Sequence, residues 1–273
     1  MRISQGLASF IHAGRSAVGN GSLHEKQDPT RPQDTLIYPD TDVAQWTSWQ
    51  FGNVSDFMKI TAEVNGPSTQ QQTGIVRLTH SQYQNQTMTH ASEIAGYDQA
   101  VDSMTDGIQH VPDDRIIDAA TIQKILEQGQ FFTPTLTCSN RTLDHAQTNA
   151  QLLYEAGVPL IAGTDSVGSL DMNDTTVSVP SGLTLHHESQ NFVEYLAMSP
   201  AEAINAATRE TAKWHRVLDR GSVEIGKRAD IVMLNSALLV NITNTLDIAK
   251  IWVLGVQVAH VYAGNSTSLN PGR

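Results

Sequence analysis

From about residue 50 onward, short apolar runs alternate with segments whose apolar positions recur at helical spacing. The runs Phe57–Ile60, Thr87–His90, Gly107–His110, Phe131–Leu136 and Pro159–Gly163 read as buried strands. Between them, Ile122, Ile125 and Leu126 share one helical face that Asp118 can cap and Gly129 can end. Ala146, Ala150 and Leu153 form a second stripe, closed by Gly157. Ser199-Pro200-Ala201-Glu202 joins a capping box to a proline at the first helical position, so a helix starts there. This alternation predicts βαβ units around a parallel sheet, an α/β fold.

The pattern changes near Asp219. "RADIVMLN" and "KIWVLGVQVAHVYAG" are rich in strand formers, and the second can turn back on itself at Leu254-Gly255. The chain therefore divides into an α/β part, residues 1–218, and a small β part, residues 219–273. Two polar stretches read as loops. One is Asn20–Asp42, with three prolines, and the other is Val167–Gly182, directly after "AGTD".

Composition narrows the function classes. A net charge of −11 argues against nucleic acid, which needs a basic face. No window approaches the roughly 18 apolar residues of a membrane span. The lone Cys138 excludes an internal disulfide and reads as a small core residue. The opening "MRISQGLASFIHAGR" has no sustained apolar stretch of the signal-peptide kind, which implies a cytoplasmic protein. Against that stand N-glycosylation sequons at Asn20, Asn53, Asn85, Asn140, Asn173, Asn241 and Asn265, half of all the asparagines, which hint at relatives in a secretory pathway.

Four titratable residues fall at the C-terminal ends of successive candidate strands: Lys59 in "FMKI", His90 in "MTHAS", His110 in "GIQH" and Asp165 in "AGTD". In a parallel β/α barrel those ends converge on one mouth, where active sites lie. Imidazole nitrogen and carboxylate oxygen are ordinary ligands for zinc and similar ions. A lysine inside a barrel is costly unless neutralised or paired, and reaction of the neutral amine with carbon dioxide gives a carbamate that can bridge metals. Singly, each residue also fits a structural role: a hydrogen-bonded strand-end histidine, or an aspartate capping a turn. Their serial placement favours a shared site.

These residues resemble the amidohydrolase superfamily of metal-dependent hydrolases, in its imidazolonepropionase-like and prolidase-like (Xaa-Pro dipeptidase) branch. "AGTDS", "LHHESQNFVEYLAMSPAEAINAATRETA" and "DRGSVEIGKRADIVMLN" look like the family's final barrel strand, its following helices and its return to a β-sandwich. "FMKI", "THAS…GIQH" and "FFTPTL" look like its fourth to seventh strands, and "FIHAGRSAVGNGSLHE" resembles its third-strand region, ending near His24. The resemblance implies an incomplete TIM-type (β/α)8 barrel, about strands 3–8, followed by part of a small β-sandwich. It makes Lys59 a carboxylated bridging lysine, His90 and His110 ligands of the second metal, and Asp165 a ligand of the first metal and the general base. The implied cofactor is a divalent metal, zinc first, with one or two ions in the family. The implied reaction is hydrolysis of a carbon–nitrogen bond in a small-molecule or dipeptide-like substrate, an amide or an X-Pro peptide.

The chain departs from the family at its front. The His-x-His pair of the family's first strand occurs nowhere, and His186-His187, adjacent in a helix-like segment, are poor substitutes. The chain reads as N-terminally truncated, beginning near the third strand, with at most a partial metal site. That favours an alternative for the isolated chain: a non-catalytic remnant, pseudoenzyme or binding protein, or the product of a truncated gene model. A mononuclear enzyme is a third reading. Unpaired barrel edges leave a homo-oligomer open. Of the remaining residues, His24 reads as a loop residue able to reach substrate or metal, and His80 as a structural or solvent-facing helix residue. Glu188 reads as the opening of a helix, while His12, His145, His215 and His260 have no ligand-like context.

Overall fold

The computed structural model describes residues 9–53, 55–138, 143–166, 168–172 and 175–258, and side chains throughout these except at 143 and 168–179. Four parallel strands form the central sheet in chain order: β1 (Met58–Thr61), β2 (Thr87–His90), β3 (Gly107–Gln109) and β4 (Phe131–Thr133). Three single-residue bridges extend it, Ala17 onto Ile60, Ile37 onto Gly19 and Leu160 onto Phe132. Seven parallel segments thus lie side by side, an incomplete TIM-type barrel that does not close among the described residues. Pro159–Gly163, expected as a strand, contributes only the Leu160 bridge. It pairs with β4 on one side, and on the other its Ala162 amide donates to the Ala206 carbonyl at 3.1 Å.

Helices cover the sheet as the apolar periodicity requires. They include α2 (Val43–Gly52), α3 (Thr69–Tyr83), α4 (Ile94–Asp102), α5 (Ala119–Gln128) and α6 (Leu143–Glu155). Asp118 caps α5 by accepting from the Thr121 amide, and Gly129 ends it at φ 66°. Ala146, Ala150 and Leu153 are fully buried in the main core with Phe132, Ile108 and Phe192. The Ser199 capping box opens α8 (Pro200–Asn205) as expected. That helix continues through a π-helical turn, Ala206–Glu210, into α9 (Thr211–Trp214). At the base of the sheet, Asp106 accepts from the Thr87 amide and lies 2.7 Å from His80 Nε2 and 3.3 Å from Arg216 Nη2.

Both expected loops hold regular structure. Asn20–Asp42 contains α1 (Leu23–Gln27), whose start Ser22 caps through the Glu25 amide, and a 3-10 turn over Gln33–Thr35. Within Val167–Gly182 the strands β5 (Gly168–Met172) and β6 (Thr175–Val179) form an antiparallel hairpin. Period-two alternation in "TTVSV" was there to be read, but its polar members obscured it. Helix α7 (Leu183–Tyr195) follows. The C-terminal part is an antiparallel sheet of β7 (Ile231–Leu234), β8 (Ile248–Val253) and β9 (Val256–Val258). Its hairpin turns at Leu254 and Gly255, both at positive φ, the backbone that matches strand twist. His260 and the end of the second β-rich segment lie outside the described residues. Among the described residues no helix is long and apolar enough to cross a membrane.

Candidate functional site

The strand register brings the predicted residues to one end of the sheet. Thr61 pairs with His90, His90 with Gln109, and Gln109 with Thr133. Lys59 lies two residues before the end of β1, His90 ends β2 and His110 follows β3 directly. Asp165 follows the Leu160 segment. Alternation along β1 sets Lys59 opposite Met58 and Ile60, which are fully buried in the layer beneath the helices. The Lys59 side chain is half-buried and its amine has no hydrogen-bond partner among the described residues. Burial takes that amine down to about 8, with Asp165 pulling the other way.

The His90 and His110 rings meet edge to face at 4.5 Å, and His24 stands against the other side of His90 at 4.4 Å. Burial holds His90 well below the usual imidazole range, helped by His110, His24 and Lys59. Burial also takes His110 down to about 4, against the attraction of Asp165. Both rings are therefore neutral near pH 7, the state in which imidazole binds metal. His110 Nδ1 lies 2.5 Å from the Thr135 hydroxyl oxygen, which fixes the ring and leaves Nε2 free of that bond. His110, Thr135 and Asp165 have φ of 72°, 51° and 50°, left-handed backbone that side chains other than glycine rarely adopt.

Four further residues belong to the cluster; the sequence readings of His24, Glu188 and Cys138 need correction, and Glu63 had none. His24 is on α1 rather than in a loop, and its Nδ1 lies 3.0 Å from Glu63 Oε1. Burial works to raise the Glu63 carboxyl, but the bond and charge of His24 outweigh it and the net shift is downward. Glu188 does not open its helix. It sits mid-way along α7, fully buried, and accepts from the Leu136 and Thr137 amides at 2.8 Å each. Burial pushes its carboxyl up to about 7, with those two amides opposing. Cys138 is half-buried rather than core, with Sγ 3.9 Å from Asp165 Oδ2; burial first, then Asp165 and Glu188, push its thiol up to about 11. A cleft of about 250 Å³ opens beside His90, walled by Leu23, Lys26, Glu63 and Glu93.

His80 is on α3 and faces Asp106 at the base of the sheet, far from the mouth, while His186 and His187 lie on α7 as expected. Among the described residues no three His, Cys, Asp or Glu side chains stand close enough to hold one cation. The donor chemistry nevertheless fits a divalent ion of zinc's class. It consists of two neutral imidazoles, a carboxylate and an amine without a hydrogen-bond partner.

Residues 46–258 match the model of the Amidohydrolase family. The chain belongs to this family. The amidohydrolase match runs from α2 through β9 and so takes in Lys59, His90, His110 and Asp165. Over 101 residues the chain is 32% identical to a 5-methylthioadenosine/S-adenosylhomocysteine deaminase of Halalkalibacterium halodurans, covering 37% of this chain and 23% of the deaminase. Among solved amidohydrolase-like structures, a Xaa-Pro dipeptidase with methionine bound in its active site is similar at a TM-score of 0.74. It is 21% identical, with 92% of this chain and 68% of that one covered. Ochratoxinase of A. niger is similar at 0.70, with 19% identity and coverage of 90% and 65%. Phenylurea hydrolase B is similar at 0.69, with 20% identity and coverage of 86% and 58%. At these identities the likeness establishes the fold. The chain spans less than a quarter of the deaminase and about two thirds of the first two structures.

Proposed function

We propose that this amidohydrolase hydrolyses a carbon–nitrogen bond in a small amide or X-Pro dipeptide-like substrate. In this reading Lys59, His90, His110 and Asp165 hold a divalent metal, zinc first, and Asp165 is the catalytic base. One observation carries it: four donors stand at one end of four parallel segments, and the half-buried Lys59 amine among them has no hydrogen-bond partner among the described residues. An amine left in that state is costly, and one drawn down to about 8 keeps a sizeable neutral fraction near physiological pH, the form that reacts with carbon dioxide. A divalent cation held there supplies Lewis acidity toward a carbonyl and acidifies a water. Asp165, exposed at the mouth, accepts the proton of the attacking water and returns it to the leaving nitrogen. His110, fixed by Thr135, holds a constant orientation throughout. The cleft beside His90 admits the substrate, and the residues 1–218 form the barrel part, with 219–273 the sandwich part.

A second reading, a non-catalytic member of the family, draws support from the edge-to-face packing of His24, His90 and His110. Packed rings do not aim three nitrogens at one point. The same experiment separates the two. The full chain, supplied with zinc or cobalt(II), is assayed against N-acyl amino acids and Xaa-Pro dipeptides by release of free amine. Turnover that Asp165→Asn abolishes supports the hydrolase. Absence of turnover at any metal loading, or turnover indifferent to Asp165→Asn, overturns it.

A further inference from the structure

The turn after β4 touches both His110 and Asp165, and it is gripped from outside by a buried acid. Thr135 begins it, with φ 51° and its hydroxyl 2.5 Å from His110 Nδ1. The Cys138 amide donates back to the Thr135 carbonyl at 2.9 Å, closing a 3-10 turn over Leu136–Cys138. Cys138 then stands 3.9 Å from Asp165. The amides of Leu136 and Thr137, which a tight turn leaves without backbone partners, both point to Glu188.

We infer that Glu188 is a positioning residue of the candidate site, holding the 3-10 turn that follows the left-handed Thr135 and through it orienting His110 and the neighbourhood of Asp165. The inference rests on the hydrolase reading for its purpose, though its geometry does not.

Cost decides between this role and simple packing. Glu188 is fully buried on a helix face shared with Phe192 and Ser189, both also buried, and no cationic side chain among the described residues pairs with it. An apolar residue would fill that space without the penalty of burying a carboxyl. What an apolar residue cannot supply is two acceptor oxygens for two consecutive amides. That grip sets the turn's direction from a rigid helix, the arrangement by which a supporting shell fixes the side chains in front of it. Left-handed residues other than glycine persist only where their surroundings over-determine them, and Glu188 fixes the two amides that directly follow Thr135, one of the three. A role confined to stability would leave His110 and Cys138 unchanged while the chain stays folded.

The test uses the full chain without metal, so that it is independent of turnover. Glu188→Gln keeps the shape but turns an amide group, a donor, toward one of the two N–H groups. Two readouts report on the turn. One is the labelling rate of Cys138, the sole cysteine, by 5,5′-dithiobis(2-nitrobenzoate). The other is the tautomer of the His110 ring, read from its imidazole ¹⁵N shifts. Glu188→Gln should speed labelling about tenfold or more and redistribute the His110 tautomers while far-UV dichroism stays native. Labelling and tautomer both unchanged in the folded variant overturn the inference, as does faster labelling fully accounted for by global unfolding. If Glu188→Gln does not fold, Glu188→Asp, which withdraws the same charge by one methylene, must show both changes; their absence overturns it equally. Loss of the hydrolase reading in the Asp165 assay leaves these readouts standing.

Discussion

The Thr135 hydroxyl oxygen lies 2.5 Å from Nδ1 of His110, and each residue holds left-handed backbone at the end of adjacent strands. This bond joins β3 and β4 at the mouth and selects which ring nitrogen faces inward. Thr135→Val keeps the shape and removes the bond. Zinc affinity, measured by competition with a chromophoric chelator, should weaken about 10- to 100-fold, the usual effect of losing an outer hydrogen bond to a ligating histidine. Equal affinity in the two proteins would show that Thr135 does not orient a ligand.

The core beneath the site leaves no room at Gly107. A Cβ there would stand 2.4 Å from Phe131 Cζ and 2.8 Å from Met88 Sδ. Phe131 is fully buried and cannot swing into solvent. Gly107→Ala should therefore destabilise the protein by about 1–3 kcal/mol, the range for overpacking a filled core. Urea denaturation followed by tryptophan fluorescence measures it, and an unshifted midpoint would contradict the packing described.

Glu188 gives stability a pH dependence of definite sign. Its carboxyl is raised from 4.5 to about 7 in the folded chain, chiefly by burial. The stability contributed by its protonated form is complete below about pH 4.5 and is lost as pH rises through about 7. A shift of that size corresponds to about 3 kcal/mol. Glu188→Gln has no such proton to lose. Its urea midpoint should change less than the wild type's between pH 4.5 and 7.5, and parallel pH profiles would refute the assignment.

Lys59 works in the opposite direction. Burial lowers its amine from 10.5 to about 8. The associated stability is complete above about pH 10.5 and is lost as pH falls through about 8. Lys59→Met removes the buried charge, so the metal-free variant should be more stable than wild type at pH 7, with the difference shrinking toward pH 10. Thermal unfolding at both pH values tests this. A variant less stable at pH 7 would mean that the attraction of Asp165 outweighs the cost of burying the Lys59 charge.

The four strand-end donors were legible because period-two strands and their neighbouring helices leave a strong pattern, and chemistry at a strand end stands out against apolar residues. His90 and His110 lie at their strand ends, Lys59 two residues before the end of β1, and Asp165 after a segment that makes one bridge instead of a strand. Thr135 and Glu63 were not legible, because a threonine or glutamate acting on a histidine 25 or 39 residues away leaves no local period. Glu188 was misread for a related reason. An acid near a helix start ordinarily answers the helix dipole, and only the fold reveals that this one faces inward to another turn. Pro159–Gly163 looked like a strand because it is apolar, yet it makes only the Leu160 bridge to β4, and its Ala162 amide is spent on a helix carbonyl. The short helix α1 was hidden by three prolines in the surrounding stretch.

The π-helical turn at Ala206–Glu210 does more than bend a helix. Within it the Ala206 carbonyl accepts from the Ala162 amide at 3.1 Å and from the Thr211 hydroxyl at 2.7 Å. The one-residue insertion thus serves as a vernier between the two ends of the sheet. Upstream it offers the last segment an acceptor in place of a neighbouring strand. Downstream it sets the rotation at which Trp214 meets Phe131, 5.2 Å between ring centres, and Arg216 reaches Asp106. Removing one residue would turn everything after it by about 100°. The mouth of the site and the clasp at its base are therefore indexed to each other by a single residue's worth of helix.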